Sequence, residues 1–72
     1  MKLPLLSGKP VLTTLQRLGF FEIHRKGSLV KMKHPDDRLI VFPYHNEVDR
    51  YTLKGALQDA DIDLDEFIEN LK

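Results

Sequence analysis

From residue 11 to residue 18, apolar side chains recur three and four positions apart, at Val11, Leu12, Leu15 and Leu18. That spacing lines one face of a helix. Ser7 stands ahead of the stripe as an N-cap, and Pro10 falls in the first turn, where its missing N–H costs little. Gly19 supplies the C-cap. Residues 20–26 and 29–34 then alternate with period two and read as the strands of a hairpin across Gly27-Ser28. Glycine at the first central position suits a type II′ turn, which needs φ > 0 there. Pro35-Asp36-Asp37 is a second turn, and the β-branched run at 38–42, closed by Pro43, is a third strand. A loop follows at 44–49. Leu53, Ala56, Leu57 and Ala60 mark a second helix, which Gly55 weakens by about 1 kcal/mol relative to alanine. Asp63 and Glu66 have capping-box spacing, Ile62 is placed to staple onto Phe67, and Leu64, Phe67, Ile68 and Leu71 stripe a short third helix.

The order α-β-β-β-α-α predicts an α+β domain over residues 1–72, with a three-stranded antiparallel sheet packed on helices on one face. This order is similar to a double-stranded-RNA-binding fold with a short extra C-terminal helix. Counting outward from the turn pairs Lys26 with Leu29, Arg25 with Val30, His24 with Lys31, Ile23 with Met32, and Glu22 with Lys33. Alternation then sends Phe21, Ile23, Val30 and Met32 to the core. The outward face is expected to carry Glu22, His24, Lys26, Leu29, Lys31 and Lys33. Leu29 is an aliphatic residue among cations there.

Charge sharpens this picture. The 72 residues sum to a formal charge of zero, yet residues 1–34 hold seven Lys/Arg against one acid, and residues 35–72 hold four against ten. Such a surface is dipolar, and the field at a face depends on local charge within a screening length of about 8 Å. Arg25, Lys26, Lys31 and Lys33 crowd the Gly27-Ser28 turn, so the hairpin points to a polyanion, of which nucleic acid is the commonest. The acidic half repels such a ligand. With no cysteine and no apolar run near the roughly 20 residues needed to span a bilayer, the chain is expected to be soluble and cytoplasmic. The apolar stretch in residues 1–6 is too short for a signal peptide.

Taken together, KLPLLSGKPVLTTLQRLGF, RKGSLVKMKHPDDR, IVFPYHNEV and TLKGALQDADIDLDEFIENL resemble, in order and spacing, the HicA toxin family. These are messenger-RNA interferases of HicA–HicB toxin–antitoxin pairs. The resemblance implies a double-stranded-RNA-binding-like fold, endoribonuclease activity without metal or other cofactor, and a HicB-like antitoxin partner. It also implies a histidine directly after Gly-Ser, needed for cleavage; here that position is Leu29. Tyr51 and Asp61 stand where the family commonly has glycines, which affects capping more than chemistry.

Metal-free scission of RNA proceeds by attack of a 2′-OH on the adjacent phosphate. It needs a proton acceptor, a donor for the leaving 5′-oxygen, and cations for the charge that builds on phosphorus. Histidine suits proton transfer because its ordinary pKa of about 6.5 lies near working pH. Leucine can do none of this, and losing a general acid–base group typically costs about 10²–10⁴-fold. Lys26, Lys31 and Lys33 are candidates to grip phosphate, and Ser28 to position it. His24, on the outward face, is the candidate to replace the missing histidine in part. His34 reads as structural or merely exposed. His45 reads as a loop histidine bordering the same face. The three histidines lack paired zinc spacing, and Asp59, Asp61, Asp63 and Asp65 lack the glycine and terminal glutamate of a calcium loop, so no metal site is expected. Three readings remain open: a toxin slowed by Leu29, a non-catalytic RNA-binding module, and a protein that serves only to bind an antitoxin.

Overall fold

In the computed structural model, which describes residues 3–71, α1 spans Gly8–Arg17 and stops where the sequence supplies a glycine. Met1, Lys2 and Lys72, which enter the charge count and the leader reading, lie outside the described residues. Gly19 takes φ 99°, its N–H donates to the Gln16 carbonyl at 3.0 Å, and the Phe20 N–H donates to Leu15 at 2.9 Å. This is a Schellman closure, and it turns the chain straight into the sheet. Strands β1 (Phe21–Lys26), β2 (Leu29–Lys33) and β3 (Leu39–Pro43) pair antiparallel in the order β1-β2-β3. Helices α2 (Arg50–Asp59) and α3 (Leu64–Glu69) follow.

The same closure ends α2, with Asp61 at φ 55° in the position Gly19 holds after α1. The Asp61 N–H reaches Gln58 at 3.0 Å, and the Ile62 N–H reaches Leu57 at 2.9 Å. Asp tolerates this left-handed conformation better than most residues, though less well than glycine. The Asp49 carboxylate caps α2 by accepting the Tyr51 N–H at 2.8 Å, and Asp63 caps α3 by accepting the Asp65 N–H at 3.0 Å.

Val11 and Leu15 from α1, Val30 and Met32 from β2, Ile40 and Phe42 from β3, Leu53 and Leu57 from α2, and Phe67 from α3 form the core, each 2% exposed or less. All helices therefore lie against one face of the sheet, as the α+β reading anticipates. Ile62 joins Phe67 in that core. Thr14 is buried as well; its hydroxyl is satisfied by the Pro10 carbonyl at 2.7 Å. The loop at 44–49 is less free than expected, because Val48 is buried and bridges to Leu6.

One part of the expected register is corrected. The pairs nearest the turn are as read: Lys26 with Leu29, Arg25 with Val30, His24 with Lys31. Beyond them a bulge at Ile23 shifts the ladder, so Glu22 faces Met32 and Phe21 faces Lys33. An extra residue in one strand inverts every face that follows it. Phe21 and Ile23, expected in the core, are 48% and 45% exposed. Glu22, expected among the outward cations, lies instead on the helix side of edge strand β1. There it meets Arg25 at 2.9 Å.

Candidate nucleic-acid interface

The cationic face is built by alternation along β2. Val30 and Met32 are buried beneath the helices, so Leu29, Lys31 and Lys33 must point the other way. Pairing adds His24 opposite Lys31, and Lys26 opposite Leu29. From β3, Leu39 and Val41 share the face through their pairing with Lys33 and Lys31. Thus Lys26, Lys31 and Lys33 stand together on a side that no helix covers, and the bulge has removed Glu22 from among them. Among the described residues, Lys26 and Lys31 have no ion-pair partner, whereas Lys33 meets Asp37 at 3.4 Å. That last pair is solvent-exposed and holds the ammonium only weakly.

Arg25 does not belong to this face. Its guanidinium donates to both Glu22 carboxylate oxygens, at 2.9 and 3.2 Å, and lies 4.8 Å from the centre of the Tyr44 ring. The bond to Glu22 raises its pKa above the ordinary value. Arg25 therefore ties the hairpin to the segment that leaves β3.

The hairpin tip is a built corner. Gly27 adopts φ 59° while Ser28 stays outside the left-handed region, as a II′ turn requires. The β2–β3 ladder ends with Leu29 opposite Pro43, so the next residues of the chain run past the tip. The Tyr44 N–H donates to the Ser28 carbonyl. His45 Nε2 lies 3.1 Å from Ser28 Oγ, and the Gly8 N–H donates to the His45 carbonyl at 2.8 Å. Gly8 has no substitute there, since a Cβ would fall 2.7 Å from the Tyr44 ring.

The other histidines are placed differently. His34 Nδ1 accepts the Asp36 N–H at 3.1 Å, and its ring stands edge-on to Phe20 at 5.1 Å. It is a structural element of the second turn, as one of the two sequence readings has it. Burial there pushes the Asp36 carboxyl upward, but the Arg38 N–H and guanidinium outweigh it and hold the group below its ordinary value of 3.8. His24 stays on the open face, two positions from the Lys26–Leu29 pair.

Leu29 is half exposed at the tip, beside Ser28 and opposite Lys26. The contact between His45 and Ser28 was not read from the sequence. Its signal was the β2–β3 register: a turn centred on residues 35–37 pairs Leu29 with Pro43, and so carries residues 44 and 45 to Ser28.

Cations arranged on a helix-free sheet face can follow a phosphate chain, and an imidazole held at the turn can exchange protons with whatever lies there. Among the described residues, no helix is long and apolar enough to cross a membrane, and no group of three or more His, Cys, Asp or Glu is placed to hold a metal ion. No curated protein matches the chain. A family profile described as HicA toxin of bacterial toxin–antitoxin matches residues 8–62, a stretch that includes the whole hairpin, the tip and His45.

Proposed function

The chain belongs to the HicA toxin family, the toxin side of a toxin–antitoxin pair, and from that membership we propose that it binds messenger RNA along the hairpin and cleaves it without metal. The observation that carries this reading is the grouping of Lys26, Lys31 and Lys33 on one uncovered face beside the Gly27-Ser28 turn. Those ammonium groups bind consecutive phosphates, and Ser28 positions the phosphate at the turn. Leu29 occupies the corner where the family places its histidine, so cleavage is slow. His24, on the same face as Lys31, is within the strand's path and contributes to binding.

The test is RNA integrity in the presence of the wild-type protein and of Leu29→His. The restored histidine is expected to raise the cleavage rate by about 10²–10⁴-fold. If Leu29→His neither cuts RNA nor arrests growth, the interferase reading is wrong. Binding without cleavage would then favour a non-catalytic RNA module.

The antitoxin partner on this reading is HicB-like, and the open face is its docking surface. The support is the apolar content of that face: Phe21, Leu29, Leu39 and Val41 are exposed among the lysines. Such a surface suits a protein with an apolar centre and an acidic rim. Val41→Asp is expected to weaken antitoxin binding, measured by calorimetry; an unchanged affinity would move the interface elsewhere.

A further inference from the structure

We propose that His45 is the proton acceptor of this site and supplies the chemistry that Leu29 cannot. The proposal rests on the RNA-cleavage reading above and names the residue that performs it. Three tethers set the position of His45. The Tyr44 N–H is bonded to the Ser28 carbonyl, the Gly8 N–H to the His45 carbonyl at 2.8 Å, and the Arg25 guanidinium lies 4.8 Å from the Tyr44 ring centre. The backbone that carries the ring is thus fixed before substrate arrives, which favours a proton-transfer group. Its ring is also oriented, by the 3.1 Å contact between Nε2 and Ser28 Oγ. His45 is nonetheless exposed, so a phosphodiester laid across the tip can reach it.

The alternatives are weaker on geometry. His34 follows the end of β2 away from the tip, and its ring packs on Phe20. His24 sits opposite Lys31 and away from the turn. Only the His45 ring is bonded to the turn that carries Lys26, Ser28 and Leu29.

The step balances simply. With Nε2–H donating to Ser28 Oγ, the free Nδ1 of His45 takes the proton of a ribose 2′-OH while the 2′-oxygen forms a bond to phosphorus. The P–O5′ bond breaks, its electrons stay on the 5′-oxygen, and water supplies that oxygen with a proton. The products are a 2′,3′-cyclic phosphate and a 5′-OH, and the imidazolium returns its proton to solvent. Lys26, across from Leu29, offsets the charge that builds on the phosphate.

The experiment compares wild type, His45→Ala, His45→Gln, Leu29→His and the double variant Leu29→His/His45→Ala on an end-labelled single-stranded RNA of mixed sequence. Wild type is expected to cut slowly, with a limb in its pH–rate profile that depends on His45. His45→Ala is expected to lower the rate by about 10²–10⁴-fold, to lose that limb, and to regain activity with added imidazole. His45→Gln keeps a polar group near Ser28 and must lose the rate as well, which separates chemistry from folding. Ser28→Ala frees the ring and is expected to cost less than His45→Ala. Cleavage by His45→Ala at the wild-type rate overturns the proposal. So does cleavage by Leu29→His together with an inactive wild type, which leaves the RNA reading standing. If neither wild type nor Leu29→His cuts, the RNA reading falls and this proposal with it.

Discussion

Neighbouring residues of the same strand meet opposite fates on the two faces of this sheet. Val30, Met32, Ile40 and Phe42 are sealed beneath the helices, while Leu29, Lys31, Lys33, Leu39 and Val41 look away from them. On β2 and β3 the sealed face is apolar, and its packing sets stability. The open face mixes lysines with aliphatic residues that packing does not require. Period-two alternation thus writes a core and a candidate binding surface into the same ten residues of β2 and β3, with no separate motif for either. The open face has latitude to vary because the core does not depend on it, so Leu29 can sit half exposed at the tip without disturbing the architecture.

The sharpest way to break this comparison is to truncate adjacent residues of β3. Phe42→Ala is expected to destabilise the domain by about 3–5 kcal/mol, and Val41→Ala by about 0.5 kcal/mol, in urea titrations. Equal losses would mean that the open face is packed against something after all. The helix ends that hold α1 and α2 over the sealed face sharpen it further. Gly19→Ala is expected to cost at least about 1–2 kcal/mol, because alanine is strained at a left-handed φ. Its Cβ would also fall 2.7 Å from His34 Nε2. Asp61→Gly, at the equivalent end of α2, is expected to stabilise by about 0.5 kcal/mol. A Tm that falls for Gly19→Ala and rises for Asp61→Gly confirms that both ends close in the same way. The smallest effect belongs to the turn between β2 and β3. Asp36 should titrate below its ordinary 3.8 by NMR, and Arg38→Ala should return it upward. A carboxyl held low in the folded state adds stability above its unfolded range, and that stability is lost as pH falls through the folded value. Arg38→Ala should therefore reduce the stability lost on acidification, and an unchanged Asp36 titration would remove Arg38 as the cause.

Much of this was legible because local chemistry and global packing agree. Gly27 demanded its turn, and the turn fixed the three pairs nearest it. Leu15, Leu53 and Phe67 announced buried helix faces by their spacing. The bulge was not legible. Phe21 and Ile23 are apolar and alternate correctly, so nothing in FEIHRK distinguishes a regular strand from one with an extra residue. As β1 is an edge strand that no helix covers, burial did not enforce the register there. His45 lay within reach of reasoning. Pro35 begins the second turn and Asp37 sits at φ 76° after it, a geometry that sets the β2–β3 register and places His45 against Ser28. Reading the tip from one hairpin alone left half of it unseen.

On the proposed function, an RNA strand lies along the uncovered lysine face. Affinity for a single-stranded RNA, measured by fluorescence anisotropy against salt concentration for wild type and Lys26→Glu/Lys31→Glu, tests this directly. Each phosphate contact contributes about 0.7 to the slope of log affinity against log salt, so the double variant should bind more weakly and lose about 1.4 of that slope. An affinity and a slope equal to those of the wild type would contradict the claim.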